Sequence, residues 1–308
     1  MPEPLIECVP NFSEGRRQEV IDQIVAAITA VPGVLLLGVD ADADHHRSVV
    51  TFAGPPEAVL EGALRGIAAA QRLINLDEHR GQHPRIGAAD VVPFVPLRDA
   101  TLEQCVALAH RLGQRVGAEL GLPVYLYEAA ATRPERVNLA DVRRGEYEGL
   151  KQSLGRDPAR DPDYGPARLT PAGAVAIGAR QPLVAYNVYL NTGDVAIARK
   201  IARAIRHSSG GLRYVKAIGL LVNGRAQVSI NMTDVRSTPL QRVFELIKAE
   251  AARYGCTPTE SEIVGFVPED ALLEVAEHYL QLNRFDRSRI LERRLRELEA
   301  ARQRGAAE

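Results

Sequence analysis

Two apolar runs joined by a single Asn-Gly pair constrain the fold of the second half of the chain more than any other feature. An Asn-Gly pair between apolar runs strongly predicts a two-residue hairpin, because both residues tolerate positive φ angles. Segments with helix or strand periodicity lie on both sides of this hairpin. In chain order they are a strand at 182–190, a helix at 194–207, strands at 214–222 and 225–232 around Asn223-Gly224, a helix at 239–254, a strand at 261–267 and a helix at 269–282. This β-α-β-β-α-β order with a final helix is that of the ferredoxin-like (split βαβ) arrangement.

The first half also alternates strand and helix patterns, which predicts a second α/β subdomain. Its predicted strands are 5–9, 34–40, 48–52, 90–95 and 123–127, and its predicted helices are 16–30, 55–74 and 101–120. A strand ending in Phe-Val-Pro precedes a helix both in 91–110 and in 262–280, which suggests that the halves are related. The predicted fold class is therefore α+β, with two α/β sandwich subdomains of ferredoxin-like topology at 1–180 and 181–308.

Residues 129–180 follow neither pattern. They contain many charges, five prolines and one predicted short helix near 139–154. Long connections in compact proteins are usually either functional or linkers. We therefore interpret this segment as a long connecting region with a possible part in the site.

Charge and cysteine content exclude several classes of protein. The chain has 38 Lys and Arg against 39 Asp and Glu, which argues against a nucleic-acid partner, since such proteins carry a basic surface. No stretch reaches the ~18 uninterrupted apolar residues of a membrane span. Cys8, Cys105 and Cys256 lie far apart, as expected in a reducing compartment, and the acidic N-terminus does not resemble a signal peptide. We expect a soluble cytoplasmic protein.

The segment 79–85 is the strongest candidate for a reactive site in the sequence. It places His79, Arg80, His83 and Arg85 within seven residues that also contain Gly81 and Pro84. Histidine exchanges protons near neutral pH, and this composition is not that of a buried core. The alternative is a surface loop whose histidines only form local hydrogen bonds.

Two further segments offer polar groups where apolar strands end. Asp40 could orient an imidazole or contact a substrate cation, and Arg47 could bind a carboxylate through two hydrogen bonds. The alternative is an ordinary Asp-rich turn. Residues 10–15, which include Asn11, supply amide, hydroxyl and backbone donors where a helix begins, and these suit either an anion or simple capping by Ser13.

A metal site is a weaker hypothesis. His79 and His83 have the i, i+4 spacing of zinc ligands on a helix, but Gly81 and Pro84 interrupt any helix between them. The chain contains neither HExxH nor a cysteine ligand set. We expect no metal in the site.

Several long motifs resemble those of the formiminotransferase family, the transferase portion of formimidoyltransferase-cyclodeaminases. They occur in the same order over nearly the whole chain. They are ECVPNFSEGR (7–16), the segment 40–47, HRGQHPRIGAADVVPFVPL (79–97), PVYLYEAA (123–130), RRGEYEGL (143–150), YGPARLTPAGA (164–174) and GARQPLVAYNVYLN (178–191).

This resemblance implies transfer of the formimino group of N-formimino-L-glutamate to N5 of the co-substrate tetrahydrofolate, a step of histidine degradation. It also implies a homodimer, and a separate cyclodeaminase that acts on the product, since the chain ends after the transferase portion. A formyl donor, N-formylglutamate or 5-formyltetrahydrofolate, is the alternative within the class. A folate-binding protein without turnover and a metal amidohydrolase are the alternatives outside it.

The resemblance also implies roles for particular residues. The family's catalytic His-Pro-Arg motif falls on His83, and its strand-end Asp falls on Asp40. In this interpretation His83 moves the proton from N5 to the departing glutamate nitrogen, and Asp40 fixes the imidazole tautomer. The residues expected to bind substrate are Asn11, Arg47, His79, Arg85, Gly165, Pro166, Ala167, Arg168, Leu169, Thr170, Pro171, Ala172, Gly173 and Ala174.

The expected absence of a metal can be tested directly. Treatment with EDTA should leave the transferase activity unchanged, because the predicted chemistry needs only proton transfer. Elemental analysis of the purified protein should find no stoichiometric zinc. Activity that is lost in EDTA and restored by a divalent cation would contradict the prediction.

Overall fold

The computed structural model describes residues 3–81 and 83–305, and the chain divides into two compact units, Met1–Pro182 and Leu183–Glu308. Each unit combines helices with one β-sheet, which confirms the predicted α+β class. In the described residues, no helix is both long enough and apolar enough to cross a membrane.

Unit 1, Met1–Pro182, contains a mixed sheet with helices on both faces. Its strands are β1 (Leu5–Cys8), β2 (Asn11–Phe12), β3 (Leu35–Asp42), β4 (Arg47–Gly54), β5 (Ala89–Arg98), β6 (Val124–Glu128) and β7 (Val175–Ala179). Its helices are α1 (Gln18–Thr29), α2 (Pro56–Leu73), α3 (Leu102–Arg115), α4 (Leu139–Val142) and α5 (Glu146–Ser153). Thr101 caps α3 through a reciprocal capping box with Gln104, and Gly121 at φ 64° ends the turn that follows. These two residues bound the helix that the sequence predicts over 101–120.

The strand order of unit 1 is β3-β4-β1/β2-β5-β7-β6. β1 and β2 form one interrupted strand that pairs antiparallel with both β4 and β5. The elements from β1 to β5 therefore have the strand order of a split βαβ. β7 and β6 extend this core in parallel from the edge of β5.

Strand β7 corrects the sequence prediction, which placed residues 175–179 inside the connecting region. Every residue of β7 is buried, and the strand lies between β5 and β6. Its sequence, VAIGA, contains two alanines and a glycine, which have low strand propensity. A strand covered on both faces also lacks the polar–apolar alternation by which half-buried strands are recognised.

The connecting region between β6 and β7 covers one face of the sheet. Val142 of α4 and Leu150 of α5 pack against Val91, Tyr125 and Ala176 on that face. The alternate residues of the same strands, with α1, α2 and α3, form the larger core on the other face. The connecting region is thus a structural layer of unit 1 and brings its charged residues next to the loop between α2 and β5.

Unit 2, Leu183–Glu308, contains an antiparallel sheet in the order β11-β8-β10-β9. Its elements are β8 (Val184–Leu190), α6 (Val195–Ile205), β9 (Val215–Val222), β10 (Arg225–Met232), α7 (Leu240–Ala252), β11 (Pro258–Val264), α8 (Glu269–Tyr279) and α9 (Leu291–Gly305). Asn223 at φ 49° and Gly224 at φ 74° form the predicted hairpin turn. The strand order is again that of a split βαβ.

Truncation of β7 tests its place in the core. Ile177 is fully buried, so Ile177→Ala should lower the free energy of unfolding of unit 1 by about 2–5 kcal/mol. Hydrogen–deuterium exchange of peptides that cover β5 and β7 measures this change. Leu97→Ala, at a position that is 45% exposed on β5, is the control and should cost about 0.5 kcal/mol or less. Equal effects of the two substitutions would contradict the central placement of β7.

Candidate active site

The candidate site lies in unit 1, where the loop between α2 and β5 passes the start of β4. In this loop His83 is partly buried, and its Nε2 atom lies 2.8 Å from Nη1 of Arg47, the first residue of β4. A guanidinium group only donates hydrogen bonds, so Nε2 accepts and the imidazole proton is on Nδ1. The structure thus brings together two residues that the sequence predicts for the site, with Arg47 in contact with the ring.

Asn11 belongs to the same cluster. Arg47 Nη1 donates to Asn11 Oδ1 at 3.4 Å, while the amide nitrogen of Asn11 donates to the carbonyl oxygen of Val9 at 3.1 Å. Within the described residues, Arg47 forms no ion pair with a carboxylate. Burial and the nearby charge of Arg143 both lower its pKa. The site therefore contains a half-buried guanidinium that lacks an anionic partner.

Arg143 and Asp90 are two members of the site that the sequence analysis did not assign to it. Arg143 follows α4 and donates from Nη2 to Oδ2 of Asp90, whose Oδ1 accepts from the backbone N–H of Ile86 at 2.8 Å. Asp90 is 98% buried in β5. A carboxylate in an apolar strand requires a charged or hydrogen-bonding partner, and that requirement was the available clue.

The environment of His83 holds its imidazole in the neutral form. Burial is the largest cause, and the charges of Arg47 and Arg143 add to it, so that the pKa of His83 falls to about 2. The charges of His45 and His79 act in the same direction. In this state His83 is a neutral imidazole throughout the physiological range and can only accept a proton.

His79 and Arg85 have structural partners, although the sequence analysis places them in substrate binding. His79 Nε2 donates to the carbonyl oxygen of His46 at 3.0 Å, and its Nδ1 accepts from Arg85 Nε at 3.2 Å. The ring also stacks on His46 with centroids 4.3 Å apart. Both ring nitrogens are therefore occupied, and burial lowers the pKa of His79.

The guanidinium of Arg85 is buried and already pairs with two carboxylates of α5. Its Nη1 lies 2.9 Å from Glu146 and 2.8 Å from Glu148, and its Nη2 lies 2.7 Å from Glu148. The sequence analysis expects Arg85 to bind a substrate carboxylate, but these glutamates occupy that position. In this structure Arg85 fixes the loop on which His83 lies, and its contact with a substrate stays a prediction.

Asp40 does not contact His83. It lies exposed on the edge strand β3, and its carboxylate forms no hydrogen bond or ion pair with another described residue. Its charge acts on Arg47, where it opposes the lowering of the pKa. Arg47, rather than Asp40, therefore orients the imidazole in this structure.

The segment 165–174 lies directly against the loop of His83. Ala88 N donates to the carbonyl oxygen of Ala172 at 2.8 Å, and Ala174 N donates to that of Ile86 at 2.9 Å. Gly173 has φ 72°, and a Cβ atom there would lie 2.2 Å from the Ile86 carbonyl oxygen. Residues 172–174 are buried and shape the loop, whereas residues 165–168 are exposed.

A cleft of about 590 Å³ in unit 1 lies elsewhere. Its lining includes Arg136, Arg144 and Arg160, but none of the residues predicted for the site. These cations are engaged by Asp163, by Asp141 and by backbone carbonyl oxygens, respectively. Because the lining contains no histidine and none of the residues predicted for the site, we place the site at His83. In the described residues, no group of three or more His, Cys, Asp or Glu side chains is arranged to hold a metal ion.

Comparison with known proteins identifies the class of this chain as transferases of formimidoyl groups. Residues 5–180 match the N-terminal subdomain of the formiminotransferase domain, and residues 185–297 match the formiminotransferase domain. The chain belongs to the formiminotransferase family.

Its relatives include single-activity and bifunctional proteins. The chain is 51% identical to the glutamate formimidoyltransferase of Thermoplasma acidophilum, with 94% of this chain and 97% of the relative covered. It is 48% identical to the glutamate formimidoyltransferase of Streptococcus pyogenes serotype M1, with 94% and 98% covered. The formimidoyltransferase-cyclodeaminase of Gallus gallus is 44% identical over 90% of this chain but only 52% of its own length.

The low pKa of His83 predicts a pH dependence of stability. Below about pH 6.5 the unfolded chain binds a proton at this position and the native state does not, so stability is complete above that pH and falls as the pH decreases. At pH 5 the loss from His83 should be about 2 kcal/mol. The substitution His83→Gln removes this group. Urea unfolding between pH 5 and 8 should show about 2 kcal/mol less destabilisation at pH 5 in His83→Gln than in the wild-type protein.

The matched control is His207→Gln at an exposed position of unit 2. It should keep the wild-type pH dependence of the free energy of unfolding. Identical pH dependence in the wild-type protein and His83→Gln would show that His83 is not held neutral in the native state.

Proposed function

We propose that this chain is a glutamate formimidoyltransferase. It transfers the formimino group of N-formimino-L-glutamate to N5 of tetrahydrofolate and yields 5-formimidoyltetrahydrofolate and L-glutamate, in histidine degradation. The observation that carries the proposal is the neutral imidazole of His83 next to an unpaired guanidinium, in a chain that aligns over nearly its full length with relatives of this name.

The reaction needs one group that first accepts and then returns a proton. N5 of tetrahydrofolate attacks the formimino carbon, and as the bond from N5 to that carbon forms, the C=N π pair moves onto the imino nitrogen to give a tetrahedral intermediate. N5 then loses its proton to Nε2 of His83. The bond between the formimino carbon and the glutamate nitrogen breaks as His83 returns the proton to that nitrogen. The pair on the imino nitrogen re-forms the C=N bond when the glutamate nitrogen leaves. No oxidant or reductant takes part, and a single histidine suffices for both transfers.

The segment 165–174 is proposed to bind tetrahydrofolate. Its exposed part, residues 165–168, is available to a ligand, and the buried part, residues 172–174, sets the position of the loop beside it. Gly165 at φ 80° approaches the Leu122 carbonyl oxygen so closely that a Cβ atom would lie 2.1 Å from it. This close approach fixes the path of the exposed part.

The remaining proposals concern the cellular location of the enzyme, its oligomeric state and the protein that consumes its product. We propose that it acts in the cytoplasm as a homodimer, and that a cyclodeaminase consumes its product. Light scattering coupled to size-exclusion chromatography tests the dimer. Comparison of kcat/KM for formiminoglutamate and formylglutamate tests the choice of donor. A higher kcat/KM for formylglutamate would show that the activity is formyl transfer and not the proposed formimino transfer.

Replacement of His83 tests the proton transfer. General acid–base catalysis contributes about 10²–10⁴-fold, so His83→Ala should lower kcat by that factor while the Kd for tetrahydrofolate changes little. The measurement is a steady-state assay with formiminoglutamate at saturating tetrahydrofolate, with folding verified by circular dichroism. His207→Gln is the control and should keep wild-type kcat.

Asp40→Asn provides a second comparison. Since Asp40 has no hydrogen bond to the imidazole, its replacement should reduce kcat much less than His83→Ala does. A nearly normal His83→Ala enzyme would refute the proposed role of His83. A loss in Asp40→Asn as large as that in His83→Ala would instead show that the two residues act as a pair in the working enzyme.

A further inference from the structure

Arg47 has no anionic partner although its surroundings remove it from water. Among the described residues its hydrogen-bond acceptors are the neutral Asn11 amide oxygen and the neutral imidazole of His83. Neighbouring arginines of the same region differ, since Arg17 pairs with Glu14, and Arg85 pairs with Glu146 and Glu148. The charges of Asp90, Asp42 and Asp40 act on Arg47 without forming an ion pair with it. A partly buried guanidinium with no carboxylate in contact indicates a place that an anion can occupy.

Arg143 supplies a second N–H donor without an acceptor near Arg47. Its Nη2 holds Asp90, but its Nε is buried and has no hydrogen-bond partner. Buried donors without partners are rare in native structures. Arg143 lies at the same place because Asp90, which it holds, precedes Val91, the strand partner of Asn11, and Asn11 accepts a hydrogen bond from Arg47. The charge of Arg143 acts on both Arg47 and His83.

We propose that Arg47 and Arg143 together bind a carboxylate of the formimino donor, its α-carboxylate, next to His83. This inference rests on the proposed function. The two guanidinium groups supply several N–H donors with fixed directions, which is the pattern that a carboxylate accepts. Arg143 is thereby assigned to substrate binding, and its ion pair with Asp90 positions it.

The chemistry of the two substrates selects the donor as the source of the carboxylate. In formiminoglutamate one carbon atom separates the α-carboxylate from the nitrogen that carries the formimino group. In tetrahydrofolate the aminobenzoyl ring separates the glutamate tail from N5. A carboxylate that binds beside the proton-transfer group therefore belongs to the donor.

Binding of the carboxylate also activates His83. In the free protein the Nε2 lone pair accepts from Arg47 and is not available to N5 of tetrahydrofolate. When the carboxylate takes the Arg47 donors, this lone pair is released and the positive charge around the ring is neutralised.

The charged groups that face His83 are Arg47 of β4, Arg143 after α4, His45 in the β3–β4 turn and His79 of the same loop. Asp40, Asp42 and Asp90 face Arg47. Neutralisation of the two arginine charges removes the largest of the repulsive contributions, so the pKa of His83 rises when the donor binds. The base is then competent only in the presence of the donor.

The test uses a double variant, because Arg143→Gln alone leaves the buried Asp90 carboxylate without its partner. Asp90→Asn/Arg143→Gln removes both charges and keeps groups that can hydrogen bond. The KM for formiminoglutamate should rise about 10- to 100-fold, as expected for the loss of hydrogen bonds to a charged group. The Kd for tetrahydrofolate should stay within about twofold.

The matched control is Arg144→Gln, at the adjacent position. The Arg144 side chain is 78% exposed and pairs with Asp141, so its replacement should leave both constants unchanged. Titration calorimetry with L-glutamate adds a measurement that does not depend on turnover. The wild-type protein and Arg144→Gln should bind L-glutamate alike, and the double variant should bind it at least tenfold more weakly.

Tetrahydropteroate, which lacks the glutamate tail, separates the two sources of carboxylate. A double variant that loses affinity for tetrahydrofolate but not for tetrahydropteroate, with an unchanged KM for the donor, would assign the arginines to folate and overturn the inference. An unchanged donor KM and unchanged L-glutamate binding would overturn it as well. Absence of formimino transfer by the wild-type protein would instead refute the proposed function.

The pH profile of the wild-type enzyme tests the activation of His83. The profile of kcat/KM for the donor reports the free protein and should show no histidine-dependent decrease down to pH 5, because His83 is neutral there. The profile of kcat reports the complex and should decrease below a pKa that is higher than that of His83 in the free protein, because the arginine charges are neutralised while burial of the ring remains. Identical profiles would show that the donor does not change the basicity of His83.

Discussion

The site depends on one buried contact, the pairing of Arg85 with the two glutamates of α5. The described residues of the loop around His83, 74–81 and 83–88, form no helix or strand, so their position must come from side chains and from the ends of the loop. Arg85 joins it to α5 and also donates to His79, which is hydrogen bonded to the backbone of His46. The Arg85 side chain is 8% exposed, whereas Glu146 and Glu148 are 43% and 55% exposed, so water screens each pair and the loss of either glutamate should cost about 1 kcal/mol or less. Arg85, two residues after His83, therefore positions the loop through its contacts with α5 and His79.

The same contact explains why the connecting region is long. Residues 129–180 supply the acceptors for Arg85, the guanidinium of Arg143 and the strand β7, which carries the pairing of residues 172–174 with 86–88 into the sheet. A short connection between β6 and β7 could close the sheet but could not cover its second face. The connecting region thus contributes both to the core of unit 1 and to the candidate site. A change in its length therefore affects the core and the site together.

The sequence predicts the features that depend on neighbours along the chain. The Asn223-Gly224 turn, the Thr101 cap and the helix periodicities are local, and all of them appear in the structure. Strand β7 was not predicted because its small residues resemble those of a linker. Arg143 and Asp90 were not predicted as members of the site for another reason. They lie 53 residues apart in sequence, and only the folded sheet brings them together. Composition likewise predicts the 79–85 loop as a candidate site. It does not distinguish Arg85, whose guanidinium pairs with two glutamates of the protein, from Arg47, whose guanidinium has no carboxylate partner.

That distinction has an energetic meaning. A protein selected for stability alone would place a carboxylate beside Arg47, as it does for Arg17 and Arg85. Such a carboxylate would raise the pKa of His83 permanently and would occupy the donors that a substrate carboxylate needs. The unpaired guanidinium lowers the stability of the free protein, and part of that cost is recovered when an anion binds. Under the proposed function, the hydrogen bond between Arg47 Nη1 and His83 Nε2 is the link through which an anion at Arg47 acts on the protonation of His83.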